Sequence, residues 1–222
     1  MIMNRIIVFA NQKGGVGKTT LCTLFANYLA EIKQPVLVID CDGQQTIFEK
    51  RQADIKKYGD DNFTYSIKPF PICEAEKMEH LMKSLKTINA IVLIDSPGHL
   101  AQQGLIPLFR YADEIVCPYQ FEATSVNSTV TFVSFIKKLQ MAYKDMHNRI
   151  YFIPNKYDSR VGKKEELELW DETEKAFSRF GHNLPKIKLK QDLQRYNTIA
   201  MNDKVKQEVL PAFNDLFNNI NK

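Results

Sequence analysis

The 222-residue chain is short of several things, and each shortage removes a class of protein. Its four cysteines, Cys22, Cys41, Cys73 and Cys117, stand far apart with no C-x-x-C pair. Neither a zinc knuckle nor a redox dithiol is therefore encoded, and the thiols are expected to be reduced and mostly buried. No apolar run approaches the 18 or so residues of a membrane span, and the first, at 6–9, is too short for a signal peptide. The expected location is the cytosol. Low-complexity tracts, repeats and linkers are missing from the pattern, so a single domain over 1–222 is the expectation. With 44% apolar and 25% charged residues the composition is globular. Such a chain removes roughly 70% of its unfolded surface from water on folding.

Charge is uneven. The formal net charge is +4, yet residues 137–164 hold 8 bases against 2 acids, 165–185 hold 2 against 6, and 186–206 hold 6 against 2. Two basic stretches could face nucleic acid, or could be a solvated face balanced by the acidic segment between them.

Short β-rich apolar runs occur at 6–10, 36–39, 90–94, 115–117 and 150–153, each followed by turn residues and a helical pattern. The first helix shows Leu21, Leu24, Phe25, Tyr28, Leu29 and Ile32; a second long one carries Phe132, Phe135, Ile136, Leu139 and Tyr143. Repeated β-α-β units with nearly continuous apolar strands predict an α/β fold, a mostly parallel twisted sheet with helices on both faces. Ligands in such folds sit at the C-terminal ends of the strands.

Directly after the first strand comes Asn11-Gln12-Lys13-Gly14-Gly15-Val16-Gly17-Lys18-Thr19-Thr20, which opens the first helix. Its glycines let successive backbone N–H groups point inward at phosphate oxygens, and the helix N-terminus adds its positive dipole end. Lys18 would neutralise the β- and γ-phosphates, and the Thr19 hydroxyl would hold Mg2+.

The strict G-x-x-x-x-G-K-[ST] pattern is broken by Gln12, and an extra lysine, Lys13, precedes Gly14. The loop resembles the deviant Walker A sequence, K-G-G-x-x-G-K-[ST]-[ST], of the ParA/MinD family of P-loop ATPases. That resemblance implies ATP and Mg2+, ATP hydrolysis, and an ATP-induced sandwich homodimer. In it Lys13 reaches the partner's phosphates, comparable to an arginine finger, while Lys18 acts in cis. Residues 36–44 are similar to the family's switch I, a strand ending in D-x-D-x-Q. Two carboxylates one residue apart at a strand end project to one side. The resemblance assigns Asp40 to the metal shell and Asp42 to the hydrolytic water; a capping or turn role is the alternative for either. Gly43 and Gln45 depart from the proline and glycine usual around that glutamine. Residues 90–98 resemble Walker B and switch II, with Asp95 bound to Mg2+ through water and the Gly98 amide facing the γ-phosphate; Gly98 replaces a second proline.

Asn155-Lys156-Tyr157-Asp158 matches N-K-x-D, the guanine-reading motif of GTPases, whereas in the ParA family an asparagine here hydrogen-bonds adenine. The two-lysine loop is the more specific signal, so ATP is expected, with GTP the alternative. Small ParA proteins bind DNA non-specifically through C-terminal basic residues when ATP-bound. Lys186, Lys188, Lys190, Arg195, Lys204 and Lys206 match that placing, with Arg160, Lys163 and Lys164 as a second set. A ParB-like centromere-binding partner and ATP-dependent association with the nucleoid are implied likewise. Four residues precede the first strand, so the helix-turn-helix arm of larger ParA proteins, and operator-specific repression with it, are not expected.

The tail has an apolar face of Val209, Leu210, Phe213, Leu216, Phe217 and Ile220, but its polar face holds asparagines and Asp215 rather than lysines. It is expected to pack on the core rather than on a membrane. Trp170 shares a face with Leu167 and Phe177, which favours core packing over base stacking. Two other functions stay open: a MinD-like positioning ATPase that recruits protein or conjugation machinery without DNA, and a P-loop ligase phosphorylating a small molecule.

Overall fold

The computed structural model describes residues 4–99, 101–158, 160 and 164–222; Lys163 and the side chain of Lys164 lie outside it. The strands are β1 (Arg5–Phe9), β2 (Val36–Asp40), β3 (Ser66–Pro69), β4 (Ile91–Asp95), β5 (Glu114–Tyr119), β6 (Arg149–Pro154) and β7 (His182–Asn183). The helices are α1 (Lys18–Glu31), α2 (Thr46–Tyr58), α3 (Ala75–Leu85), α4 (Leu105–Arg110), α5 (Ala123–Ala142), α6 (Lys164–Phe177) and α7 (Asp203–Ile220). Every strand pairing is parallel, in the order β3-β2-β4-β1-β5-β6-β7.

Successive strand side chains alternate between two cores. Ile7, Phe9, Val38, Leu93 and Ile153 pack beneath α1, α2 and α7, whereas Ile6, Val8, Val92, Ile94 and Phe152 pack beneath α3, α4, α5 and α6. All six apolar positions expected on the tail face join the first of these cores. Cys22, Cys41 and Cys117 are buried, Cys73 is half-buried, and all four are free.

Two strands carry too little pattern to be expected. β3 has one buried residue, Ile67, and ends in Pro69, while β7 is two residues long. Both lie at the sheet edges, where pairing on one side suffices and proline is tolerated. Trp170 and Phe177 part company. Phe177 stacks on Phe152 in the core, centroids 4.8 Å apart, whereas Trp170 is half-buried and stacks on Phe121 at 4.9 Å. Trp170 thus packs against the loop after β5 rather than the sheet.

Candidate functional site

β1, β2 and β4 end side by side, with Phe9 opposite Asp95 and Asp40 also opposite Asp95. The strand ends therefore deliver the phosphate loop and both carboxylates to one edge. A cleft of about 520 Å³ opens there, lined by Gly14, Gly15, Lys18, Thr19, Asp42 and Gly98 among others. Gly15 and Gly17 have φ of +76° and +103°, which L side chains rarely adopt. A Cβ on Gly17 would also lie 2.3 Å from Asn155 Nδ2.

Lys18 is 8% exposed, and its Nζ donates to the Lys13 carbonyl at 3.2 Å. Burial lowers its pKa, opposed by Asp95 and Asp42. Asp95 is fully buried, and its Oδ2 accepts from the Thr19 hydroxyl at 2.7 Å. Burial raises the carboxyl well above its usual range, against the pull of that hydroxyl. Its Oδ1 has no hydrogen-bond partner among the described residues. A buried carboxylate oxygen left bare beside a hydroxyl and the phosphate loop fits a hard divalent cation, whose remaining ligands come from phosphate and water. Thr19 and Asp95 therefore suit Mg2+.

Asp40 takes the capping role that stood as its alternative. Its Oδ2 accepts from the amides of Ile47 and Phe48 at 2.9 and 3.1 Å, and Oδ1 from Asp42 N at 3.3 Å. It anchors the N-terminus of α2, where a carboxylate meets unpaired N–H groups and the positive dipole end. Asp42 sits in the connector, with Oδ1 accepting from Gln44 N at 2.9 Å. Lys13 does not line the cleft; its Nζ donates to Thr124 Oγ1 at 3.1 Å at the start of α5.

Asn155 is buried and donates from Nδ2 to the Val16 carbonyl at 2.7 Å, so it props the loop. It also lines a narrow slot with Gly17, Thr20, Leu21, Leu189 and Leu193. Asp158 lines a neighbouring groove instead, held by Arg160 at 2.8 and 2.9 Å and pushed down to about 2 by that guanidinium. Pattern reading gave Gln120 no role and named Lys156 only within N-K-x-D; the two donate to the Gly15 carbonyl at 3.2 and 2.7 Å. The signal Gln120 offers is its place just beyond a strand's C-terminal end.

The basic candidates divide. Lys186 pairs with Glu174 at 2.6 Å, Lys190 with Glu208 at 3.5 Å, Lys206 with Glu31 at 2.6 Å and Arg160 with Asp158 at 2.8 Å. Lys188, Arg195 and Lys204 are exposed. Among the described residues no helix is long and apolar enough to cross a membrane.

Residues 7–211 match the model of the CobQ/CobB/MinD/ParA nucleotide binding domain. An uncharacterized ATP-binding protein of Methanocaldococcus jannaschii is 25% identical over 62% of this chain and 61% of its own length. The maintenance of carboxysome distribution protein A of Gloeobacter kilaueensis is 29% identical over 51% of this chain and 48% of its own. The chain thus spans about half to six-tenths of the curated relatives it matches. A plasmid partition protein of Borrelia burgdorferi, solved with AMPPNP, superposes with a TM-score of 0.75 at 20% identity, covering 97% of this chain and 99% of that one. At that identity the likeness speaks for the fold. The family match over nearly the whole chain is consistent with the loop, cleft and strand order: this chain belongs to the CobQ/CobB/MinD/ParA family of nucleotide-binding domains, whose ParA and MinD branches are ATPases.

Proposed function

We propose that the protein is an ATP-dependent dimerisation switch of ParA type that hydrolyses ATP and acts in partitioning DNA. The observation that supports this reading is the different placing of the two lysines that flank the glycines. Lys18 is buried in the phosphate cleft, while Lys13 lies outside it on Thr124, where a second copy could receive it. Gly14, Gly15, Val16, Gly17 and Thr20 would cradle the phosphates, and Asn155 would border the adenine. Placement of Asp158 outside the slot supports adenine over the guanine reading. Thr19 and Asp95 would hold Mg2+, with Asp40 Oδ1 reaching its water shell. When bound, the ion supplies charge neutralisation on the phosphate oxygens. Asp42 would orient a water toward the γ-phosphorus; the new P–O bond forms as the bond to ADP breaks. Lys18 in cis and the partner copy's equivalent of Lys13 in trans would neutralise the transferred group.

The ATP-bound dimer would bind duplex DNA without regard to sequence, joining the nucleoid, and a ParB-like partner would stimulate turnover and release. The test is binding to non-specific duplex with no nucleotide, ADP, ATP or GTP at two salt concentrations, with Lys18→Ala as control. Binding only with ATP, weakening steeply with salt, is the expected result. A Lys13→Gln protein that keeps the wild-type rate with partner would contradict the trans role.

One observation favours a second reading. Four of the basic candidates are already paired with carboxylates, and a carboxysome-distribution protein stands among the relatives. A positioning ATPase that recruits a protein partner without DNA predicts no duplex binding in any nucleotide state.

A further inference from the structure

α2 is tied near its start to the end of β2 and in its middle to the segment before α7. Its N-terminus is held by Asp40 through the Ile47 and Phe48 amides, and Gln45 N donates to the Asp42 carbonyl at 3.0 Å. Asp42 is therefore bonded to the residue that precedes this helix. Further along the same helix Arg51 and Asp54 are 6% and 7% exposed, and both hold Thr198, which is fully buried. Arg51 donates from Nε to Thr198 Oγ1 at 2.9 Å and from Nη2 to the Thr198 carbonyl at 3.0 Å. Asp54 Oδ2 accepts from Thr198 N at 2.7 Å and from Thr198 Oγ1 at 2.9 Å. The third arm of the guanidinium, Nη1, donates to the Tyr65 carbonyl at 2.7 Å, and Arg51 Cζ lies 4.3 and 4.6 Å from the Phe63 and Tyr65 ring centroids. Every bond on Thr198 is oriented, so the joint has one geometry.

Thr198 ends the segment that walls the slot beside the phosphate loop. Lys188, Leu189, Lys190, Leu193 and Gln194 face Gly17, Thr20 and Asn155 across that slot. The chain between is braced on α1, where Asn27 Nδ2 donates to the Asn197 carbonyl at 2.9 Å, and on α2, where Lys50 lies over the Tyr196 ring at 4.9 Å. Residues 188–198 thus touch the slot at one end and α2 at the other.

We infer that Arg51, Asp54 and Thr198 are positioning residues that couple filling of the base slot to the placement of Asp42. The inference rests on the reading of the site as a nucleoside triphosphate pocket. A base seated against Leu189 and Leu193 fixes segment 188–198; Thr198 then fixes α2, and the connector carrying Asp42 follows. A triphosphate without a base fills the phosphate cleft and leaves this route unused.

Hydrogen–deuterium exchange on the full chain tests it, with no ligand, Mg2+ and ATP, or Mg2+ and inorganic tripolyphosphate. In the wild type both ligands slow exchange in the loop at 13–20, and ATP slows residues 46–50 more than tripolyphosphate does, by about threefold or more. Thr198→Val keeps the shape and loses the hydroxyl; with ATP it keeps loop protection and falls at 46–50 to the level given by tripolyphosphate. Thr198→Ser, which restores the hydroxyl, behaves as the wild type. Arg51→Lys, which cannot make the forked contact, behaves as Thr198→Val and serves if that variant does not fold. Equal protection of 46–50 by ATP and tripolyphosphate, or full protection in both Thr198→Val and Arg51→Lys, overturns the coupling while leaving the nucleotide site standing. Absence of loop protection with either ligand overturns the nucleotide reading, and the coupling with it.

Discussion

Single residues in this protein are placed by burial as much as by motif. Gly17 is legible as a phosphate-loop glycine, but its left-handed φ and the Asn155 amide packed against it appear only in three dimensions. Gly17→Ala meets both obstacles, so nucleotide binding, measured by titration calorimetry, should be lost while the circular dichroism spectrum stays native. Away from the site, Glu114 is 1% exposed at the start of β5 and bonded by Arg149, itself 44% exposed. Burial raises the Glu114 carboxyl, and the Arg149 bonds pull it down. A raised folded-state pKa means that this group's contribution is fully present below its unfolded value and is lost as pH rises through the folded one. Arg149→Ala leaves the carboxylate buried without its hydrogen-bonded guanidinium, with only the charge of Arg5 favouring it. Its cost at pH 7 should be about 2 kcal/mol, less than for a fully buried pair because half of Arg149 is solvated. Urea unfolding should show that cost shrinking toward pH 4, as Glu114 takes up its proton; an unchanged cost would mean that the pairing is not electrostatic.

Among the elements, the central strands and α1 were readable because each has a strong period and clear punctuation. β3 and β7 were not, since edge pairing asks for only a few residues and offers little apolar pattern. The C-terminal helix shows how an element gains its role from its surroundings. Its apolar face asks for a partner and its lysine-poor polar face argues for a core, and the sheet and α1 supply that core. Asn202 caps this helix, its Oδ1 accepting from Val205 N at 2.9 Å. Asn202→Ala should lower stability by about 1 kcal/mol. In a chain of this size that is roughly 2–4 °C in Tm by differential scanning calorimetry.

For the molecule as a whole, charge counted along the sequence overstates the charge available at the surface. Lys186 sits 5.6 and 5.4 Å from the Phe121 and Tyr157 ring centres and bonds Glu174, which makes it a fastening for α6. Lys188 and Arg195 are exposed without an ion pair among the described residues. If DNA binding follows the proposed switch, Lys188→Ala and Arg195→Ala should each reduce the salt slope by roughly 1. Lys186→Ala should leave the slope unchanged, and fluorescence anisotropy over a salt series separates the two outcomes.

The sequence by itself determined the alternation of strands and helices, the phosphate loop after the first strand, and the carboxylates at the ends of β2 and β4. Those are local matters, set by periodicity, glycine freedom and the position of a residue at a strand's end. Only the tertiary structure decided the order of the strands, the ion pairs that occupy four of the nine basic residues singled out in the sequence, and the anchoring of α2 by Asp40. It also decided the joint between Arg51 and Thr198, 147 positions apart. No local pattern encodes such a contact, because it exists only once both cores have closed and buried polar groups must find partners.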